Sequence, residues 1–145
     1  VILGEMPGPH LHVYPRYTVV AEKLEALTSL GMLNSRMKDY FDLWILAKHS
    51  DFDGQILSRA VAATFERRRT AVPTGVPIGL SDEFINDAQK GKQWQGFLRK
   101  NALDPMSLAT VVVDLRDFLM PVLAAIAAGG SHDYPWRAGA GWQKP

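Results

Sequence analysis

The sequence contains no cysteine, which excludes a disulfide framework, a thiolate zinc site, a Cys nucleophile and an iron–sulfur cluster. Charge of one dominant sign is also missing. Sixteen Lys and Arg against 15 Asp and Glu leave a formal +1, so no global field draws the chain onto nucleic acid or anionic lipid, and polyanion binding would need a local patch. Apolar runs are short: Leu119 to Ala128 is broken by Pro121 and falls well below the roughly 20 residues of a spanning helix. No basic segment followed by an apolar run opens the chain, which begins Val1-Ile2-Leu3, so a signal peptide is not expected and a truncated start is. These absences point to a cytoplasmic protein without a membrane segment. What is present suffices for one core, since a chain of 145 residues buries about 68–70% of its unfolded surface without a covalent staple.

Hydrophobic periodicity then divides the chain. His10 to Tyr14 alternates weakly and reads as a short strand, which needs partner strands that the rest of the sequence does not offer. After Pro15 the spacing turns helical. Val20, Leu24, Leu27 and Leu30 recur on one face, with Thr18 as the expected N-cap and Gly31 as the stop. A second helix is expected from Arg36 to about His49 after Asn34-Ser35, and a third after Asp53, with Leu57, Ala60, Val61 and Phe65 inward and Arg67 to Arg69 in its last turn. A Pro/Gly-rich loop from Thr70 to Leu80 leads to a short helix opened by Ser81, continued or resumed over Gln89 to Lys100. The last helix runs from about Met106 to Ala128, and Gly129-Gly130 ends it. The expectation is a mainly α fold: a bundle of about five helices over residues 16–128, a strand or connector over 1–15, and an irregular Gly/Pro/Trp tail over 129–145.

Two charged clusters lie on the first two helices. Lys23 precedes the core residue Leu24, and Asp39 and Asp42 share a face at i, i+3. The short connection from Gly31 to Ser35 can bring Lys23 to that acidic face. A Lys beside two carboxylates suits a nucleoside triphosphate, with Arg36 and Lys38 as further candidates for phosphate contact. The same spacings also fit solvated helix faces and an ordinary Lys38–Asp42 pair.

The run from Val13 through Ala26, then Leu30-Gly31, then Asn34 through Leu43 resembles the AbiEii/AbiGii toxin family of nucleotidyltransferases in order and spacing. Ala63 to Arg68 and Lys92-Gln93-Trp94 are similar to it as well, so the resemblance spans about residues 9–125. It implies an α/β nucleotidyltransferase fold of which this chain is the helical C-terminal part, with Lys23 on the triphosphate and Asp39 or Asp42 supporting the site or the attacking hydroxyl. It further implies transfer of a nucleotide from a nucleoside triphosphate to an RNA, expected to be tRNA, with Mg²⁺ as cofactor and a cognate antitoxin as partner. The family's Gly-Ser followed by an Asp-x-Asp strand is nowhere in the sequence, so the principal metal ligands are missing and this chain alone is expected to be inactive. A non-catalytic helical module contacting antitoxin or tRNA is the alternative.

Other residues admit two readings. Arg67, Arg68 and Arg69 could contact RNA phosphate or complement the helix dipole. Lys90, Lys92, Arg99 and Lys100 flank Trp94 and Phe97 in a basic and aromatic mixture found on nucleic-acid surfaces, although Trp94, Phe97 and Leu98 also have core spacing. His10 and His12 share a strand face without a third metal ligand in view. Trp136 and Trp142 either dock on the bundle or engage another chain.

Overall fold

The computed structural model describes residues 14–145, so His10, His12 and nearly all of the expected strand at 10–14 lie outside the described residues. The fold is mainly α, with six helices and a small antiparallel sheet among the described residues. The first helix, α1 (Pro15–Leu30), starts earlier than Thr18 allows: Pro15 occupies its first turn, where a missing N–H costs nothing, and Tyr14 precedes it without a side-chain cap. Gly31 ends α1 at φ 55°, a conformation that favours glycine, and a 3₁₀ turn over Gly31–Leu33 leads to α2 (Met37–His49).

Asp53 caps α3 (Gly54–Arg67) by accepting from the Ile56 N–H at 3.0 Å, as its position implies. Ser81 likewise caps α4 (Asp82–Asn86). Asp87 then ends α4 and caps α5 (Ala88–Lys100) through the Lys90 N–H at 3.0 Å, so two helices stand where one continuous helix was possible. Ser107 opens α6 (Leu108–Ala127), which runs through Pro121. Helix α1 packs chiefly on α3, and α6 crosses both α2 and α3. Leu24, Leu27, Leu43, Leu57, Val61, Leu115, Phe118 and Leu119 meet in one fully buried core.

The tail departs from its composition. Where irregular structure is expected, β2 (Pro135–Arg137) and β3 (Gly141–Trp142) form a hairpin, and β2 pairs with β1 (Phe52–Asp53), Phe52 opposite Trp136. Trp136 and Trp142 both dock on the bundle. The Trp136 indole donates to Ala47 O at 2.8 Å, that of Trp142 donates to Phe118 O at 3.1 Å, and the Phe118 ring lies 4.6 Å from Trp136 and 5.9 Å from Trp142. Strands of two and three residues carry no detectable alternation; aromatic burial and these indole bonds hold them instead.

A close approach fixes the tail's course. A Cβ on Gly54 would stand 2.2 Å from His132 O and 2.4 Å from Tyr134 O, so only glycine fits where the tail crosses the start of α3. The His132 N–H donates to Ser58 Oγ at 3.1 Å beside that crossing.

Candidate functional site

Lys23 leaves α1 between the core residues Leu24 and Ala21, on the flank that faces α2. Its Nζ lies 2.7 Å from Asp39 Oδ1 and 3.4 Å from Asp42 Oδ2. The three residues drawn from sequence spacing therefore meet in one place. Helical geometry explains it: Asp39 and Asp42 are one turn apart on α2, and the compact turn from Gly31 to Leu33 keeps the two helices adjacent.

Burial is graded across the cluster. The Asp39 side chain is 7% exposed, Lys23 22% and Asp42 28%, so the Lys23 head sits where a buried acid gives way to solvent. Arg36, at the entrance to α2, closes the far side of Asp39 with Nε 3.0 Å from Oδ2. Lys38 donates to Asp42 Oδ2 at 2.6 Å. That hydrogen bond, with the Asp42 charge behind it, raises the Lys38 pKa above the ordinary lysine value and keeps the side chain cationic. All five candidates on α1 and α2 thus form one network of three cations and two carboxylates.

Helix α1 joins this network to the end of α3. Glu22, adjacent to Lys23, pairs with Arg67 and with Arg68, whose NH2 is 2.8 Å from Glu22 Oε1. Buried Glu25 accepts from Thr70 Oγ1 at 2.6 Å. Glu22, 45 residues from Arg67 in sequence, holds two of the three candidate RNA-contacting arginines beside the candidate catalytic lysine. Arg69, in the left-handed region at φ 57°, has no side-chain partner among the described residues. A cleft of about 290 Å³ opens over the junction, lined by Thr18, Glu22, Lys23, Ala26, Arg36 and Arg68.

Another positioning contact comes from α5. Buried Lys90 donates to Asn34 O at 2.7 Å and lies over the Phe84 ring, pinning α5 to the turn that leads into Arg36. Lys90 therefore leaves the basic surface that the sequence groups with Lys92, Arg99 and Lys100, because its ammonium is buried against a backbone carbonyl. Asp51 and Asp53, another closely spaced acid pair, are structural: Asp51 Oδ1 accepts from the Ala138 N–H at 2.8 Å, and Asp53 caps α3.

The donor set does not suit Mg²⁺. Both oxygens of Asp39 face cations, Asp42 is shared between two lysines, and no group of three acidic or imidazole side chains converges among the described residues. The arrangement suits phosphate instead: Lys23, Arg36 and Arg68, each held by a carboxylate and partly exposed, rim a cleft of about 290 Å³ whose own acids, Glu22 and Glu25, are engaged by Arg67, Arg68 and Thr70. No helix among the described residues is long and apolar enough to cross a membrane.

A family model described as nucleotidyl transferase AbiEii toxin, type IV toxin–antitoxin system, matches residues 1–120. No curated protein and no solved structure matches the chain.

Proposed function

The chain belongs to the AbiEii nucleotidyl transferase toxin family, a family of toxin–antitoxin systems whose members imply an antitoxin partner, and from that premise we propose that α1 and α2 supply the triphosphate-binding part of a nucleotidyltransferase site. The observation that carries the reading is the Lys23 ammonium held at 2.7 Å and 3.4 Å from Asp39 and Asp42 at the rim of a cleft. Lys23 contacts the triphosphate of a bound nucleoside triphosphate. Asp39, anchored by Arg36, fixes where the ammonium stands, and Arg36 and Lys38 add positive charge for the phosphates.

The reaction is in-line displacement at the α-phosphorus. A hydroxyl oxygen of the RNA acceptor, by family resemblance a tRNA, bonds to that phosphorus as the bridge to the β-phosphate breaks. Pyrophosphate leaves with the electron pair and the hydroxyl proton passes to solvent or a nearby base. Lys23 acts by neutralising charge on the triphosphate and holding it in line. The family's magnesium has no ligand set among the described residues, and the metal-binding acids belong to the family's nucleotidyltransferase half.

The test compares the full-length toxin with its Lys23→Ala variant at equal expression, scoring growth arrest and transfer of α-labelled nucleotide to total tRNA. Loss of both in a variant that melts like the parent supports the reading. Retained toxicity removes Lys23 from the mechanism. Retained binding to tRNA or antitoxin without any transfer by the parent favours a non-catalytic helical module.

A further inference from the structure

On the other side of Arg36 lies a second, larger hollow of about 530 Å³. One wall is the start of α2, with Arg36 and Lys38. The other is one face of α5, where Gln93, Gly96, Phe97 and Lys100 follow at helical spacing. Lys90 holds the two walls together through its bond to Asn34 O.

The lining is specific in its chemistry. Phe97 is half-buried, braced by Trp94 at 5.6 Å and Phe41 at 5.7 Å, and borders the hollow. Lys100 is exposed and has no side-chain partner among the described residues. Arg36 and Lys38 are 60% and 74% exposed, while Asp39, the acid lining the hollow, is nearly covered. Solvent therefore meets cations and a ring. Gly96 widens the space between them, since a Cβ there would have no heavy atom within 4 Å.

We propose that the hollow between α2 and α5 is a seat for a single-stranded polynucleotide, with Phe97 stacking a base and Lys100, Arg36 and Lys38 meeting its phosphates. This deepens the nucleotidyl-transfer reading by giving the acceptor strand its own place. The Arg36–Asp39 pair, which also touches Lys23, divides that strand from the triphosphate cleft. Stacking with backbone charge suits a splayed strand of any sequence. A duplex buries its base faces and leaves the ring without a partner.

Binding is measurable without turnover. Fluorescence anisotropy is recorded for the whole chain with a labelled 12-nucleotide single-stranded RNA, the DNA of the same sequence and the RNA duplex, over a range of salt, with ATP titrated separately. The single strands are expected to bind more tightly than the duplex. Lys100→Ala should weaken them roughly 3- to 10-fold and reduce the salt slope by about 0.7, the loss of one phosphate contact on a single strand. Gly96→Glu, which fills the hollow with an acid, should weaken them more than about tenfold, whereas Gly96→Ala, the helix control, should not. Neither Lys100→Ala nor Gly96→Ala should change ATP affinity. Unchanged strand affinity and salt slope in both Lys100→Ala and Gly96→Glu, equal binding of the duplex, or loss of ATP instead of the strand each overturns the proposal. Failure of the triphosphate reading is distinct: it appears as ATP binding that Lys23→Ala leaves intact.

Discussion

Lys23 and Trp136 both tie α2 to a distant part of the chain, but by opposite means. Lys23 reaches Asp39 near the start of α2 through charge, a partly exposed ammonium against a nearly covered carboxylate. Trp136 reaches Ala47 O near its end through a buried indole, inside a nest of rings from Phe118, Phe52 and Trp142. Such a charge pair gains little net stability, because the cost of drawing Asp39 and Lys23 out of water offsets most of their attraction. A buried ring removes a large apolar area from water, and its N–H cannot lose its acceptor cheaply. The Lys23 end of α2 is therefore free to serve a ligand, and the Trp136 end holds the helix while it does so.

Substitutions can break that contrast. Trp136→Ala removes the ring and leaves Ala47 O with the Gly139 N–H alone, and should cost about 3–5 kcal/mol, read from urea denaturation. A cost below about 1 kcal/mol would show that the hairpin does not brace α2. Gly54→Ala forces a methyl against His132 O and Tyr134 O and should cost about 1–3 kcal/mol while displacing the tail, visible as lost protection of Trp136 in hydrogen exchange. Lys23→Ala should cost about 1–2 kcal/mol, less than loss of the sole partner of a buried acid because Asp39 keeps Arg36, yet lower transfer in the full-length toxin roughly 100-fold or more. If stability and activity fell together, the division between the two ends would fail.

The smallest effect concerns pH. His132 packs its ring 4.4 Å from Trp142 with Nε2 buried and unpartnered, and burial, helped by nearby Lys144, lowers its pKa below the usual histidine value. The folded state thus takes up its proton at lower pH than the unfolded chain. The stability contributed by the neutral ring is complete above the unfolded pKa of about 6.5 and is lost as pH falls through that value toward the folded one. Stability should therefore decline modestly below about pH 6.5, and His132→Phe should flatten that part of the profile in pH-dependent melts.

Much of the helical frame is legible because each long helix repeats its apolar residues at its own period. Leu24 and Leu27 on α1, Leu57 and Val61 on α3, and Val111 and Leu115 on α6 are buried as their spacing implies. Caps at Asp53 and Ser81 are legible for the same local reason. Thr18 misleads, because Pro15 starts α1 before the apolar period begins. In the site, Lys23, Asp39 and Asp42 are legible because they sit on neighbouring helices joined by a short turn. Glu22 with Arg67 and Arg68, and the wall of α5 facing Arg36, are not, since those contacts depend on how α3 and α5 pack. The tail hairpin is the clearest case: its strands are too short to show a period, and their partner β1 lies on the far side of the sequence.

That last pairing bears on the order in which the molecule assembles. Trp136 and Ala47 are 89 residues apart, and the tail crosses Gly54 only after α3 has a first turn to cross. Closing so long a loop has little to gain until both ends are already structured, so the hairpin should dock late. Trp136 and Trp142 then serve as clocks. Their fluorescence should change in a refolding phase slower than the growth of helical circular dichroism, and Gly54→Ala should delay the fluorescence phase alone.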